Sequence, residues 1–410
     1  MLRYLFVDFN AYFASVEQHL NPALRGRPVG VVAVMTDRTC LITASYQARR
    51  YGIGTGTPVR EARRRCPELI LVEARPAVYV EMHHHLLEVI SRTVPITQVC
   101  SIDEVLCRLS GSECQRQRAL AIAHQIKATI AQEIGPTLTC SIGIAPNSFL
   151  AKTASDLEKP DGLVLLDTDE LPERLLPLAL QDLCGIGRRM EQRLRRAGIT
   201  TVAQLYAASR QQLRQIWGSI EGERFYVHLR GECTDRPPSR RHSVGHSHVL
   251  PPQFRTDTLA FAVLHRLMQK AAARLRRLQL LTECVRIGGE WIPSGVWHAE
   301  LRVPPTNDPF VLGDVVRRLW HQRPRDGVPF HLWIDCRQLS AAHLQPLLPL
   351  DPSQGRRDRV VAALDAINER HGPGTLYIAT AHPARTAAPM RIPFSTIPDP
   401  RTEDDTPRSR

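Results

Sequence analysis

Asp8 closes a short apolar, strand-like run, Leu5-Phe6-Val7. Asp103 and Glu104 follow a second such run, Val99-Cys100-Ser101-Ile102. If these two strands lie side by side, three carboxylates share one small volume. Such a cluster is electrostatically unfavourable unless a cation holds it together. Carboxylate oxygens are hard ligands that suit Mg²⁺. Two Mg²⁺ ions sharing carboxylates catalyse in-line phosphoryl or nucleotidyl transfer. Taken alone, the two motifs fit three unrelated strand-end acids at least as well.

The elements that must position these acids are readable from pattern. Residues 2–8 read as a buried strand. Residues 10–20 read as a helix opening directly after it, with Asn10 as its N-cap. A strand feeding a helix N-terminus with an acid at the junction suits a metal-bound phosphate. Residues 29–34 and 39–44 are β-branched, apolar runs resembling two strands of a small sheet. Helical, arginine-rich stretches follow at 45–52 and 58–65. Helices are expected at 78–93, 116–134 and 148–158, and a strand at 138–144. The triple His83-His84-His85 lies inside the first of these helices. Adjacent helical residues point in different directions, so the three cannot share one metal and a packing or solvated role is expected.

The chain has 410 residues, enough for two to four domains with real cores. Lys and Arg exceed Asp and Glu by 53 to 41, a formal charge of +12 that fits a polyanionic partner, nucleic acid first. A merely basic surface gives the same count. The ten cysteines contain no CxxC pair, and Cys100, Cys107 and Cys114 fall seven apart, which is not a zinc-ligand spacing. They read as reduced, mostly buried small hydrophobes of a cytosolic protein. The N-terminal run is not a signal peptide, and no apolar run approaches the ~18 residues of a membrane span.

Between Leu180 and Leu205 the chain reads Leu-Cys-Gly-Ile-Gly-Arg-Arg-Met, then Leu-Arg-Arg-Ala-Gly-Ile. A tight Gly185-Ile186-Gly187 turn between helices is the helix-hairpin-helix pattern, whose backbone N–H groups can face a DNA phosphate without reading sequence. A plain αα-turn is the alternative; Arg188 and Arg189 favour DNA. Residues 233–243 look like a polar, basic linker. After it come a basic helix at 256–279, strands at 283–289 and 296–303, a helix at 310–321 and a strand at 329–336. These suggest a separate small β/α domain. With Arg240, Arg241 and the helix cations between 266 and 277, residues 240–336 are expected to carry much of the DNA affinity. The polar, charged end, 395–410, is expected to be disordered.

The motifs resemble those of the Y-family DNA polymerases, the lesion-bypass group, and most of all its DinB (DNA polymerase IV) branch. They run in order: Val7-Asp8-Phe9-Asn10-Ala11-Tyr12-Phe13-Ala14-Ser15-Val16-Glu17; Asn21-Pro22-Ala23-Leu24-Arg25-Gly26-Arg27-Pro28-Val29; Ala44-Ser45-Tyr46-Gln47-Ala48-Arg49; Ser101-Ile102-Asp103-Glu104; Ser141-Ile142-Gly143-Ile144-Ala145 with Leu150-Ala151-Lys152 and Lys159-Pro160-Asp161-Gly162; and Gly185-Ile186-Gly187. Each is weak singly; six in order are specific.

The resemblance implies an α+β multidomain fold. This is a right-hand polymerase with a ferredoxin-like palm (1–22 and 68–165), small fingers (23–67), a helical helix-hairpin-helix thumb (166–233), a linker (234–243), a β/α little finger (244–340) and a partly disordered C-terminal tail (341–410). It implies template-directed synthesis from primer-template DNA and dNTPs by a cytoplasmic, nucleoid-associated monomer without proofreading. Two Mg²⁺ ions would be held by Asp8, Asp103 and Glu104, with the Phe9 carbonyl completing one shell. Phe13 takes the steric-gate position, with Tyr12 beside it. Thr43 would line the nucleotide pocket, and Tyr46, Arg49 and Lys159 would contact the triphosphate. An aromatic ring under the sugar leaves no room for a 2′-hydroxyl, and cations offset charge growing on the leaving pyrophosphate.

Two departures from the family pattern stand out: Asn10, where many DinB-like members have Asp, and the two glycines of residues 54–58. A catalytically inactive accessory protein is the leading rival reading, but such relatives typically lose the palm acids. A nucleotide cyclase would need neither the hairpin nor the basic domain. Finally, Gln345-Pro-Leu-Leu-Pro-Leu350 resembles the peptides by which bacterial polymerases bind the sliding clamp, with Gln345, Leu348 and Leu350 as anchors. A proline-bearing connector packed on its own domain is an equal reading.

Overall fold

The structure is a computed structural model that describes residues 1–234, 241–342, 354–392 and 397–398. The chain divides into two compact units, essentially 1–236 and 237–391.

The first unit opens with β1 (Tyr4–Phe9) and α1 (Tyr12–Leu20). Next come β2 (Val29–Val32), β3 (Leu41–Ala44), α2 (Tyr46–Arg49), α3 (Val59–Arg65) and β4 (Ile70–Glu73). Then follow α4 (Pro76–Ser91), β5 (Ile96–Val99), β6 (Glu104–Arg108), α5 (Arg116–Glu133), β7 (Cys140–Ala145), α6 (Ser148–Leu157) and β8 (Leu163–Leu165). A five-stranded sheet runs β5-β6-β1-β7-β8, and a three-stranded sheet β3-β2-β4. β4 falls in a stretch that sequence reading gives to the returning palm; it pairs parallel to β2 and completes the small sheet. The central strand β1 is buried along most of its length, as its apolar run requires. α4 and α5 cover the sheet through Tyr79, Leu86, Ile90, Ala123, Ile126 and Ile130.

Two local expectations change here. The run 99–102 that precedes the two acids is not the strand beside β1: β5 ends at Val99, the chain turns, and Glu104 starts β6, which pairs with β1. Asn10 is not the cap of α1. Ala11, with φ 47°, is the N-cap, and Asn10 is buried and spent elsewhere. Its Nδ2 donates to Ser141 Oγ (3.0 Å), and its Oδ1 accepts from Asp161 N (2.8 Å) and Thr139 Oγ1 (3.1 Å). The side chain thus ties β1 to β7 and to the loop after α6. The glycines of 54–58 form a turn bound to β3, with Gly56 N donating to Leu41 O (2.8 Å) and Thr57 O accepting from Leu41 N (2.9 Å).

Gly143 on β7 sets how close α6 can come. A Cβ there would lie 2.0 Å from the Ala151 carbonyl oxygen and 2.4 Å from Ser155 N, so the helix backbone rests directly on the strand. Asn147 caps α6, accepting from Leu150 N. Four helices follow: α7 (Arg188–Arg196), α8 (Val202–Ala207), α9 (Arg210–Trp217) and α10 (Glu221–Leu229). Asn147 also donates to the carbonyls of His228 and Glu232, joining this helical part to α6. The Gly185-Ile186-Gly187 turn follows a single 3₁₀ turn at Leu180–Asp182 rather than an α-helix.

The second unit comprises β9 (Ser243–Val249), α11 (Asp257–Arg277), β10 (Leu280–Ile292), β11 (Gly295–Thr306), α12 (Pro309–Trp320), β12 (Val328–Ala341) and α13 (Gln354–His371). Its antiparallel sheet, ordered β11-β10-β12-β9, carries α11 and α12 on one face over Val285, Ile287, Trp291, Leu332 and Ile334. β9 begins at the last linker residue, Ser243.

The basic helix does not present its charges as expected. Arg276 forms a two-pronged pair with Asp365 of α13 (2.6 and 2.7 Å). Arg266 and Lys270 donate to the carbonyls of Ala387 and Ala388, both at 2.7 Å. Nor is 341–410 simply a tail: α13 and a 3₁₀ segment at Ala379–Ala384 pack against α11, with Gln269 bracketing the Ile378 backbone by two hydrogen bonds. Arg240, residues 345–350 and, apart from 397–398, the charged end 395–410 lie outside the described residues.

Gly143→Ala is expected to lower stability by about 2–4 kcal/mol, because the added methyl meets backbone rather than a movable side chain. Thermal unfolding beside the wild type measures this; an unchanged Tm would mean that α6 can lift from β7 at no penalty.

Candidate active site

Asp8 stands directly opposite Glu104 on β6 and Ser141 on β7. Asp103 sits in the turn before β6, where its carbonyl accepts from Phe9 N (2.9 Å). Its carboxylate accepts from Ser101 Oγ (2.6 Å). Burial raises the Asp103 pKa, and the nearby Asp8 and Glu104 charges raise it further.

The charge is offset by two lysines. Lys152 Nζ lies 2.5 Å from Asp8 Oδ2, 2.9 Å from Glu104 Oε1 and 3.1 Å from Asp156. Lys159 Nζ lies 2.7 Å from Asp8 Oδ2 and 2.8 Å from Asp156 Oδ1. Burial opposes the charge on Lys152, but Asp8, Glu104 and Asp156 outweigh it and push its pKa up. The same balance raises Lys159. Among the described residues no three His, Cys, Asp or Glu side chains converge tightly enough to hold a metal as they stand. An ammonium lies between Asp8 and Glu104 instead. The donor set nevertheless fits a hard divalent cation: the oxygens are carboxylate, and a positive charge already sits between two of them. Sequence reasoning did not assign Lys152 a role. Its signal was the i,i+4 pair Lys152 and Asp156, which lies on one face of the helix that leaves β7; Lys159 follows just past the end of that helix.

The aromatic residues after β1 separate. Tyr12 is buried and its hydroxyl donates to the Tyr79 carbonyl (2.6 Å). Phe13 is half-buried and stacks on Tyr79, with centroids 4.5 Å apart and planes at 15°. In the small sheet, Thr43 is a buried residue of β3. Tyr46 opens α2, with the Arg49 guanidinium 4.6 Å above its ring and Arg49 Nε on the Ala44 carbonyl. The Tyr46 hydroxyl is buried without a hydrogen bond, and burial raises its pKa; Arg49, Lys159, Asp8 and Asn10 are its polar neighbours. Asp8, Lys159, Tyr46 and Arg49 therefore belong to one site, with Phe13 beside β1.

Other expected residues lie apart. Gly185 (φ 86°) and Gly187 are exposed at the start of α7, and a Cβ on either would meet open space. Packing thus leaves Gly187 free, whereas the positive φ of Gly185 favours glycine. Arg188 and Arg241 are exposed. His83 is buried with Nδ1 on the Ile102 carbonyl (2.8 Å), while His84 and His85 are exposed, so one histidine packs and two are solvated. Burial holds the His83 pKa down to about 4. All ten cysteines are free. Among the described residues no helix is long and apolar enough to cross a membrane.

Comparison with known proteins decides the family. Residues 7–156 match the impB/mucB/samB family, 181–232 the thumb domain of DNA polymerase iota, and 241–345 the impB/mucB/samB C-terminal domain. DNA polymerase IV of Moorella thermoacetica is 32% identical over 394 residues, covering 92% of this chain and 95% of that protein. The chain belongs to the Y-family, DinB-like DNA polymerases. DNA polymerase IV 1 of Bacillus subtilis is 33% identical over 280 residues, 67% of each chain. Among solved structures, a Y-family polymerase chimera of Dbh and Dpo4 aligns with a TM-score of 0.71 at 23% identity, covering 83% of this chain and all of that one. An insertion ternary complex of Dbh polymerase gives 0.59 at 23%, covering 82% and 98%. The fold is thus the right-hand polymerase, an α+β multidomain architecture whose thumb includes the matched residues 181–232.

Lys152→Met is expected to lose about 3 kcal/mol of stability in metal-free buffer, because Glu104 loses the ammonium paired with it and Asp8 keeps only Lys159. Added Mg²⁺ should then raise the Tm of the variant more than that of the wild type. An equal rise in both would show that Lys152 does not occupy the cation position.

Proposed function

We propose that this lesion-bypass, DNA-directed DNA polymerase adds dNTPs to a primer 3′-OH at the palm corner formed by Asp8, Asp103 and Glu104. The observation that carries this assignment is the direct pairing of Asp8 with Glu104 across β1 and β6, with a cationic group between them. Divalent-metal dependence goes with the family. The three acids, with the Phe9 carbonyl, would hold two Mg²⁺ ions, which lower the pKa of the primer hydroxyl and offset triphosphate charge when bound.

This chain's own residues supply the rest. Lys159 and Arg49 bring positive charge to the triphosphate, where it grows on the leaving pyrophosphate. The buried, unpartnered Tyr46 hydroxyl is an available donor to a phosphate oxygen. Thr43 lines the nucleotide pocket. Phe13 serves as the gate beneath the sugar: it is the half-exposed aromatic of the pair, whereas the Tyr12 hydroxyl is committed to Tyr79. Gly185, Gly187 and Arg188 grip a DNA phosphate through backbone N–H groups and charge, and Arg240 and Arg241 add phosphate contacts at the entry to the little finger. Domain limits follow as palm 1–22 and 68–165, fingers 23–67, thumb 166–233 and little finger 244–340, with β4 lent by the palm segment to the fingers' sheet. The protein acts as a cytoplasmic, nucleoid-associated monomer, tethered to the sliding clamp through Gln345, Leu348 and Leu350. Retention of all three acids supports catalysis over an inactive accessory role.

Asp103→Ala and Glu104→Ala are each expected to cut primer extension by at least about a hundredfold while DNA binding survives. Extension near the wild-type rate would remove these acids from the reaction. Phe13→Ala should raise ribonucleotide incorporation in the same assay. If Tyr12→Ala did so and Phe13→Ala did not, the gate would be Tyr12.

A further inference from the structure

Glu17 is a buried acid in the palm that the reaction does not use. It lies one helical turn after Phe13 on α1, so both side chains face α4. Its carboxylate, with a side chain only 3% exposed, accepts from Arg75 Nε on Oε1 (3.0 Å) and Arg75 Nη2 on Oε2 (2.6 Å). The Tyr79 hydroxyl donates to the same Oε1 (2.8 Å). Tyr79 is the residue whose ring stacks on Phe13. Its backbone carbonyl is held in turn by the Tyr12 hydroxyl. Tyr79 is therefore fixed at both ends, by Tyr12 at its main chain and by the Glu17–Arg75 pair at its hydroxyl.

We propose that Glu17 and Arg75 are positioning residues for sugar selection, holding the Tyr79 ring as a rigid backstop for Phe13. The inference rests on the reading of Phe13 as the gate. The physical argument is one of tolerance. A gate that excludes one hydroxyl must resist displacement of its ring by a fraction of an ångström. A stacked pair alone is too weak to do this, because aromatic contacts contribute only about 0.5–1.5 kcal/mol beyond burial and can slide. A buried carboxylate is costly to keep charged and persists only with full pairing. Here all its pairing is spent on Arg75 and on the hydroxyl that orients Tyr79. If the bracket merely stapled α1 to α4, its loss would lower stability and leave sugar selection untouched. If it positions the gate, its loss lets Phe13 retreat from an incoming 2′-hydroxyl.

The test measures kcat/KM for a dNTP and its matched rNTP in the full-length protein carrying Tyr79→Phe, Arg75→Met, Arg75→Lys or Phe13→Ala, with Tm for each. Tyr79→Phe keeps the stacked ring and removes one hydroxyl, so it remains informative if Arg75→Met fails to fold. The expected result is a fall of about five- to twentyfold in the dNTP/rNTP ratio for Tyr79→Phe and Arg75→Met, through faster rNTP use, with part of the selectivity kept in Arg75→Lys. Lower Tm values with an unchanged ratio, alongside collapse of the ratio in Phe13→Ala, would overturn the proposal and leave the gate standing. An unchanged ratio in Phe13→Ala would overturn the gate, and the proposal with it.

Discussion

Asp8 and Glu104 face each other on adjacent antiparallel strands, and two like charges in a half-buried corner require a positive one between them. Much of the palm follows from this requirement. The positive charge comes from α6, so α6 must lie hard against β7, and that approach is possible only because residue 143 is glycine. Asn147 then fixes where the helix begins, the i,i+4 spacing delivers Lys152 and Asp156 to the corner, and the chain just past the helix end brings Lys159. Asp156 joins both ammonium groups, so the corner is a connected network. Asn10 holds the other side of the same corner, pinning the loop of Asp161 to the strands.

A second constraint acts at the start of α1. Tyr12 and Phe13 are neighbours in sequence and have opposite fates. The left-handed conformation at Ala11 starts α1 abruptly, so consecutive side chains diverge at the helix start. Tyr12 turns inward, where its hydroxyl needs and finds a carbonyl acceptor; Phe13, with no polar group to satisfy, is left half-exposed. A hydroxyl at position 13 would need a partner of its own or contact with the ligand.

What the sequence made legible was local. Apolar runs located β1, β2, β3, β7 and the helices that cover them, and the two acidic motifs located three acids that the fold brings to one corner. What it concealed was carried by contacts distant along the chain. Lys152 meets Asp8 across 144 residues, and Arg276 meets Asp365 across 89. No periodicity encodes such a pairing. The turn at 100–103 was hidden for a different reason: Ile102 is buried although it is not in a strand, so the run looked continuous. Asn10 sits where a cap is ordinarily found, yet its side chain was claimed by β7 and the following loop. Local preference yielded to tertiary hydrogen bonds.

The same distinction bears on the basic character of the chain. A formal charge of +12 counts every cation alike. On α11, however, Arg276 is neutralised by Asp365, Arg266 and Lys270 are bound to carbonyls of the C-terminal segment, and Arg274 and Arg277 are likewise engaged. A cation held by a carboxylate adds little to the field a polyanion meets. One held by a carbonyl keeps its charge but loses the reach to move onto a phosphate. The salt dependence of DNA binding counts phosphates neutralised, not arginines present. Arg266, Lys270 and Arg276, which hold α13 and the residues after it onto the little finger, therefore weigh less in that slope than their formal charge implies.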